Sequence, residues 1–366
     1  MTDTVSTDFL VRRDAPGETK FVQTKLSAPG ADQVLFKVDR FGFSANNITY
    51  AVMGDMMSYW NFFPAEDASK DQWGRVPVWG FGEVISSSVE GIEEGERFYG
   101  YWPMSTFYLA QVGKVDEGGF TEVSPHRVPL PGAYNRYVRV SVDPGYRAEK
   151  EAEHMLLQPL FMTSFLIDDF LSEEKYFGST AILIGSASSK TAIALAYLLA
   201  RHKGLVVVGL TSTKNKAFVE SLGTYTDVVT YDQIASLSKD ELVTYVDMSG
   251  DGGIRAAIHD HYKDNLKYDC AVGLTHYDKM TSPEGLPGPA PQLFFAPDQA
   301  KKRVGAWGAM GLQSRVGEAW LAFIDGASDW MDVHDASGKD AVKSVYLETL
   351  GGKADPRAGF TISLYD

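Results

Sequence analysis

The feature that most constrains the fold is a regular alternation of strand-like and helix-like segments in the second half of the chain. Apolar runs of strand length alternate with segments of helical spacing, beginning with strands at 180–186 and 205–212 around a helix at 191–204, and ending with strands at 244–250 and 268–274 around a helix at 252–264. Alternating strands and helices form parallel sheets with right-handed crossovers. The pattern therefore predicts an α/β domain with a doubly wound parallel sheet.

The first 140 residues have a different pattern. Short β-like runs such as VLFKVDRFGF, PVWGFGEVISSSV and ERFYGYWP are separated by Gly and Pro, which favours a compact, mostly antiparallel β domain. Residues 149–172 have helical spacing with apolar positions on most sides, which predicts a buried helix that Pro159 breaks or kinks. The Pro/Gly-rich stretch 281–299 is typical of a loop, and it lies where the chain could leave the second domain.

The length of the chain, 366 residues, is enough for two domains with separate cores. We expect a first domain over 1–150, completed by 306–366, and a second over 151–305. The net charge of −14 would repel nucleic acid and anionic lipid, so neither is an expected partner. The N-terminus lacks a secretory signal pattern and no stretch is apolar for the length of a membrane span. We therefore expect a cytoplasmic protein, a homodimer, that acts on a small molecule.

Several phrases in the sequence are similar to those of the medium-chain dehydrogenase/reductase superfamily over nearly the whole chain. They include VLFKVDRFGFSANNITYAVMG, PVWGFGEV, GERFYGYWP, GGFTEVSPHRVPLP and LGTYTDVVTYD. The resemblance implies a GroES-like β-rich domain joined to a Rossmann-type nucleotide-binding domain. The overall pattern also resembles DUF2855, a family of unknown function, and that resemblance implies no activity.

The chain departs from the zinc-dependent members of the superfamily. Those enzymes place a Cys in the segment that matches residues 43–48 and a His-Glu pair in the strand that matches 80–83, whereas this chain has FSANNI and GFGE there. Its one cysteine, Cys270, cannot form a structural zinc lobe, because zinc needs three or four converging ligands. We expect no zinc, and the zinc-free, quinone-oxidoreductase-like branch is the nearer comparison.

The dinucleotide-binding turn is also altered. Zinc-free relatives have the motif Gly-Ala-x-Gly-Gly-Val-Gly at this turn, where glycines let backbone N–H groups approach a pyrophosphate. This chain has Gly185, Ser186, Ala187, Ser188, Ser189, Lys190 and Thr191. Hydroxyls and a lysine at a helix N-terminus are compatible with phosphate binding. The added Cβ atoms are equally compatible with a turn that no longer admits a dinucleotide.

The end of the second strand of the α/β domain indicates which cofactor would bind. NAD-specific folds place an Asp or Glu there to hold the ribose hydroxyls. This chain offers Thr211, Ser212 and Lys214 instead. If a dinucleotide binds, the sequence favours NADP(H). The alternative is that no cofactor binds.

The residues with candidate catalytic roles lie near the N-terminal domain's polar segment 44–50. The resemblance implies that Tyr50 donates a proton or a hydrogen bond and that Asn47 orients a carbonyl oxygen. The alternative to these catalytic roles is that both residues are purely structural, as parts of a polar turn. We expect Tyr59, Trp79, Tyr101 and His276 to line a substrate pocket. His126 is a further candidate acid or base, and Asp247 either flanks the cofactor or caps the helix that follows it.

Three functions are consistent with this pattern. The first is an NADPH-dependent reductase of an α,β-unsaturated ketone, a quinone or a related carbonyl compound. The second is a lyase, hydrolase or isomerase of a carbonyl compound that uses the same scaffold without a coenzyme. The third is a binding protein with no catalytic activity.

Overall fold

A computed structural model describes residues 4–65, 72–272, 285–352 and 355–366. It divides into two compact units, unit 1 (Met1–Leu156 with Met331–Asp366) and unit 2 (Leu157–Trp330). The first division lies close to the predicted boundary at residue 150. The predicted boundary at 305 lies instead within a helix, and residues 306–330, which the sequence places in the first domain, belong to unit 2.

The secondary structure follows the predicted order along the chain. The strands of the described residues are β1 (Thr4–Arg12), β2 (Ala15–Leu26), β3 (Gln33–Phe43), β4 (Trp73–Gly74), β5 (Pro77–Ser87), β6 (Arg97–Pro103), β7 (Phe107–Asp116), β8 (Gly119–Glu122), β9 (Arg136–Arg139), β10 (Ala181–Ile184), β11 (Val206–Thr211), β12 (Asp227–Thr230), β13 (Val243–Asp247), β14 (Leu266–Ala271), β15 (Gln292–Leu293), β16 (Asp332–Ser337) and β17 (Ala358–Ser363). The α-helices are α1 (Ala45–Val52), α2 (Glu151–Glu173), α3 (Lys190–Leu199), α4 (Lys216–Ser221), α5 (Gly252–Tyr262), α6 (Ala296–Ile324) and α7 (Lys339–Leu350).

Unit 1 is built on a closed β-barrel. Its larger sheet has the order β16-β17-β3-β5-β6-β9-β8-β7, and β3 also pairs with β7, so the strands from β3 to β7 form a ring. Aromatic side chains fill it: Phe120 stacks on Tyr137 with ring centroids 4.8 Å apart, and Trp102 lies 4.6 Å from the same tyrosine ring. The predicted β-rich, GroES-like domain is confirmed. Its pairing is antiparallel except between β16 and β17.

Unit 2 contains one parallel sheet with the order β12-β11-β10-β13-β14-β15. Numbered from β10, this is the 3-2-1-4-5-6 order of the Rossmann fold, in which the strand order reverses between the first and fourth strands. The two faces of β10 contribute to different cores. Ile182 and Ile184 pack with α2 and α3, whereas Ala181 and Leu183 pack with α5. Helices therefore cover both faces, and the doubly wound sheet is confirmed.

Helix α2 differs from its prediction at Pro159, which lies inside one continuous helix. Proline lacks an N–H group, so the carbonyl four residues earlier, that of Met155, loses its helical partner. The backbone of Gly42 packs closely at that carbonyl, since a Cβ on residue 42 would lie 2.7 Å from the Met155 oxygen. The helix is therefore not broken at Pro159, and the alternative prediction of a kink stays a prediction.

Helix α6 is a second difference, because it begins inside the segment 281–299 that the sequence predicts as a loop. Its backbone leaves the helical conformation at Gly308, where φ is +75°, a value that glycine adopts without a steric penalty.

Among the residues with a described structure, none of the helices is long and apolar enough to cross a membrane.

Candidate functional site

Ser44 is the N-cap of helix α1 and residues 45–50 begin that helix, so the segment is helical and not the polar turn given above as the structural alternative. Asn47 explains why the helix begins here. Its side-chain oxygen accepts a hydrogen bond from the backbone N–H of Ser44 at 2.9 Å, and its amide nitrogen donates to the carbonyl of Pro77 on β5 at 3.3 Å. Asn47 thus fixes α1 against the barrel. Its predicted role toward a substrate carbonyl stays a prediction.

Tyr50 lies on the same helix and is buried. Its hydroxyl oxygen is 3.4 Å from the indole nitrogen of Trp79, which donates to it. Its ring centroid lies 4.7 Å from that of Tyr59 and 5.6 Å from that of Tyr101. The structure therefore brings together four residues that the sequence assigns to catalysis or to the substrate pocket.

A further residue, Tyr134, completes what we call the tyrosine cluster: Tyr50, Tyr59, Tyr101 and Tyr134. The Tyr134 ring lies 4.8 Å from Tyr101 and 6.1 Å from Tyr59, and its hydroxyl is 3.5 Å from the Tyr59 hydroxyl. Tyr134 lies on a short 3-10 turn between β8 and β9. The sequence does not identify it, because nothing local distinguishes it from a surface loop tyrosine.

The hydroxyls of the cluster are kept in their protonated form. Burial raises the pKa of Tyr50, and the neighbouring Tyr59 adds to the shift. Burial likewise raises the pKa of Tyr101 well above the usual value, with Tyr50 as the next cause. The Tyr101 hydroxyl is fully buried and has no hydrogen-bond partner among the described residues. A buried hydroxyl without a partner is costly unless a ligand or water satisfies it.

Arg127 is a buried residue that hydrogen-bonds to the backbone of the cluster residue Tyr134. It is fully enclosed and forms an ion pair with the equally buried Glu122 at 3.1 Å. It also donates to the side chain of Asn135 at 2.9 Å, to the hydroxyl of Tyr137 at 3.0 Å and to the carbonyl of Tyr134 at 2.6 Å. These bonds position the turn that carries Tyr134. Since Arg127 is saturated by protein groups, it is not a ligand-binding cation.

The second candidate region is the turn between β10 and α3 in unit 2, which we call the phosphate turn (residues 185–191). Ser189 is the N-cap of α3, and its hydroxyl oxygen accepts from the backbone N–H of Ala192 at 3.3 Å. The Ser188 hydroxyl accepts from the side chain of Asn215 at 3.0 Å. Each hydroxyl therefore still has its own proton to donate. Lys190 is nearly buried at the first position of the helix.

These groups fit an anion, because two hydroxyl protons, a cation and a helix N-terminus lie in one turn. The backbone fits it less well. The N–H of Ser186 donates to the Tyr231 hydroxyl at 3.1 Å, that of Ala187 to a carbonyl of β11 at 3.0 Å, and that of Ser189 to the carbonyl of Ser186 at 2.8 Å. Three amides that a glycine turn could offer to phosphate are thus engaged within the protein. Thr191, also predicted to bind the cofactor, accepts at its carbonyl from Ser164 at 2.8 Å.

The end of β11, next to the phosphate turn in the sheet, carries the residues predicted to select NADP(H). Thr211 is buried, with 1% of its surface exposed, so its side chain belongs to the interior. Ser212 is half-buried and Lys214 is exposed. Of the three residues, Ser212 and Lys214 have surface that a ligand could reach.

Asp247 ends β13 and does not cap helix α5, whose N-cap is Asp251. One carboxylate oxygen accepts from the backbone N–H groups of Ser249 and Gly250 at 2.8 and 3.0 Å, and the other lies 2.7 Å from the Arg255 guanidinium. The predicted helix-cap role is therefore wrong. Asp247 is a fully buried, ion-paired residue.

The remaining predictions concern histidines and metal ions. His276 lies outside the described residues, so its predicted place in the pocket stays a prediction. His126 is exposed on a turn after β8. Within 4–65, 72–272, 285–352 and 355–366, no three His, Cys, Asp or Glu side chains are grouped to hold a metal ion. Cys270 is buried in β14, as expected of a core thiol.

Comparison with known families identifies the chain. The model of a family described as a protein of unknown function, DUF2855, matches residues 41–355. The chain belongs to this family. No protein of curated function matches the sequence.

Solved structures with the same fold cover nearly the whole chain of this DUF2855 protein. A candidate NADPH:quinone reductase from Mesorhizobium loti has a TM-score of 0.65 at 13% identity, with 99% of both chains covered. CurA from Vibrio vulnificus, in complex with NADPH, has a TM-score of 0.61 at 13% identity, with 100% of both chains covered. Etr1p, in complex with NADP and crotonyl-CoA, has a TM-score of 0.60 at 12% identity, with 98% of this chain and 100% of the other covered. At such identities the likeness shows the fold alone, which confirms the predicted combination of a GroES-like β-rich domain and a Rossmann-type domain.

Proposed function

We propose that this DUF2855 protein is a zinc-independent, NADPH-dependent reductase of an α,β-unsaturated ketone, a quinone or a related carbonyl compound. The observation that carries the proposal is the pair of buried hydroxyls of Tyr50 and Tyr101. Both are held protonated, and the hydroxyl of Tyr101 has no partner among the described residues. A carbonyl oxygen is the acceptor that such donors suit.

The residues of the cluster would act on the carbonyl oxygen. The Trp79 indole donates to the Tyr50 oxygen, which leaves the Tyr50 proton to be given to a substrate. Two hydroxyl donors at the carbonyl oxygen withdraw electron density from the conjugated β-carbon and stabilise the negative charge that develops on the oxygen. Tyr50 can then protonate that oxygen. NADPH, when bound, supplies the hydride.

The residues that would hold NADPH lie in unit 2. Ser188, Ser189 and Lys190 offer protons and a charge to the pyrophosphate, and Ser212 and Lys214 suit a 2′-phosphate at the end of β11. Two of the similar structures contain NADPH or NADP. This supports NADP(H) as the cofactor. Zinc independence is proposed because the segments 43–48 and 80–83 lack the Cys and the His of zinc-dependent relatives.

A second candidate function is a lyase, hydrolase or isomerase that acts on a carbonyl compound without a coenzyme. The observation in its favour is the phosphate turn, where the N–H groups of Ser186, Ala187 and Ser189 are already engaged. Under this alternative the tyrosine cluster would polarise the carbonyl in the same way. Turnover would then need no nicotinamide.

Titration of the desalted protein with NADPH and NADH tests the proposal. We expect NADPH to bind in the micromolar range, to raise the melting temperature and to be oxidised when 1,4-benzoquinone or but-3-en-2-one is added. Binding of neither nucleotide would refute the reductase and leave the coenzyme-independent enzyme and the binding protein, which turnover of a carbonyl compound without nicotinamide would distinguish. The expected homodimer is a separate proposal, which light scattering would test.

The variant Tyr50→Phe tests the role of the cluster. Loss of a proton donor should lower kcat about a hundredfold while the dissociation constant of NADPH stays the same. Tyr346→Phe is the matched control, because Tyr346 is also a buried tyrosine of unit 1 but lies outside the tyrosine cluster, where its hydroxyl donates to the Pro16 carbonyl at 2.9 Å. Equal kcat values for the two variants would exclude Tyr50 as the proton donor.

A further inference from the structure

Ser186 has a backbone conformation that its residue type disfavours. Its φ angle is +52°, in the left-handed region where a Cβ crowds the backbone and where glycine is the usual residue. The amide of this strained residue donates to the Tyr231 hydroxyl at 3.1 Å. Tyr231 begins the turn that follows β12, so the bond joins two separate strand ends of the sheet.

Two more tyrosine hydroxyls contact the neighbouring residues of the phosphate turn. The carbonyl of Ala187 accepts a hydrogen bond from Tyr225 at 2.8 Å. The backbone of Gly185 lies against the Tyr245 hydroxyl, because a Cβ there would be 2.6 Å from its oxygen. Of these three successive residues, Ser186 and Ala187 are hydrogen-bonded to tyrosine hydroxyls, and Gly185 is packed against a third. The close approach of the Tyr245 hydroxyl explains why the first glycine of the turn is retained.

Of these tyrosines, Tyr231 is the one that hydrogen-bonds to the strained residue, Ser186. Burial raises the pKa of its phenol to about 12, so the hydroxyl stays protonated and neutral as it accepts the Ser186 amide. A glycine at position 186 would adopt the left-handed conformation without help. A serine adopts it at a cost in free energy, which a hydrogen bond made only in that conformation offsets.

We propose that Tyr231 is a positioning residue for nucleotide phosphates, whose hydroxyl holds Ser186 in the left-handed conformation that a glycine would supply unaided. The proposal rests on the proposed function, since the phosphates are those of NADPH. It explains how a serine at position 186 keeps the left-handed conformation. It also predicts that the need for Tyr231 disappears when residue 186 is a glycine.

The test is a double-mutant cycle of Tyr231→Phe and Ser186→Gly, measured in the full-length protein. Two quantities are recorded: the melting temperature without nucleotide and the dissociation constant of NADPH. In the serine background, Tyr231→Phe should lower the melting temperature by a few degrees and weaken NADPH binding roughly tenfold, the equivalent of one hydrogen bond. In the glycine background both effects should be much smaller.

Tyr262→Phe is the matched control, because Tyr262 is also a buried tyrosine of unit 2 but lies on α5 and not at the turn. It should leave NADPH binding unchanged in both backgrounds. Equal effects of Tyr231→Phe in the serine and glycine backgrounds would overturn the proposal. If NADPH binds to none of the variants, the proposed function fails, whereas the melting temperatures still decide whether Tyr231 holds Ser186.

Discussion

Replacement of Arg127 by methionine should destabilise unit 1 strongly. Arg127 and its partner Glu122 are both fully buried, 3.1 Å apart, so the substitution leaves a carboxylate inside the protein without its cation. It also removes donors from Asn135, Tyr137 and the carbonyl of Tyr134. Loss of one partner of a buried ion pair costs about 3–5 kcal/mol, and we expect Arg127→Met to lower the free energy of unfolding by that amount.

The double variant Glu122→Gln/Arg127→Met separates the charge from the packing. Glu122 retains neutral partners, since its carboxylate oxygen accepts from the backbone N–H groups of Gln111 and Ser124 at 3.3 and 3.2 Å, and a glutamine oxygen can accept the same bonds. With no charge left to compensate, the double variant should be about 1–2 kcal/mol more stable than Arg127→Met alone.

Urea unfolding at pH 7, followed by tryptophan fluorescence and circular dichroism, measures both differences. Arg127→Lys serves as the control that retains a charge and loses the planar set of donors, and it should lie between the wild type and Arg127→Met. A loss below about 1 kcal/mol for Arg127→Met, or a double variant no more stable than the single one, would refute the view that a compensated charge maintains this core.

Two further predictions concern other buried residues of unit 1. Burial lowers the pKa of His154 to about 4, whereas the value in the unfolded chain is near 6.5. The free energy of unfolding should therefore fall by about 3 kcal/mol as the pH falls from about 6.5 to about 4. Urea titrations of His154→Phe should not show this loss. Gly100→Ala would place a Cβ 2.3 Å from the ring of Tyr137, so we expect overpacking to lower the free energy of unfolding by about 1–3 kcal/mol or more. Gly17→Ala is the control, because a Cβ there would have no atom within 4 Å, and it should change the free energy of unfolding by less than about 0.5 kcal/mol in the same assay.

Periodicity predicts unit 2 well because each strand is a short apolar run that ends at a turn signal. The run at 180–186 becomes β10, and the helical spacing at 191–204 becomes α3. The strand order depends on which runs pair, and local spacing carries no information about that. Here it is the resemblance to a family that predicts a Rossmann-type sheet, and the observed strand order confirms it.

Where the sequence prediction is wrong, a long-range contact or an overlooked cap is the reason. The polar segment 44–50 suggests a turn, although Ser44 followed by Asn47 is a local helix-start signal that the structure uses. Helix α2 continues through Pro159, and the backbone of Gly42 on β3 packs closely at the Met155 carbonyl that the proline leaves without a helical partner. The first difference was visible in the sequence. The second was not, since it joins residues more than a hundred positions apart.

The phosphate turn shows why the candidate site was only partly predictable. Judged residue by residue, Ser188, Ser189 and Thr191 replace glycines of the family's motif and add Cβ atoms where a dinucleotide would lie. In the structure the same turn is fastened by hydroxyls from Tyr225 and Tyr231, which lie on either side of β12. Tyrosines that flank a strand beside a glycine-poor turn are a signal that the sequence does contain. Local residue type therefore does not by itself set the shape of this turn, because a hydroxyl from a neighbouring strand end can hold a serine in the left-handed conformation.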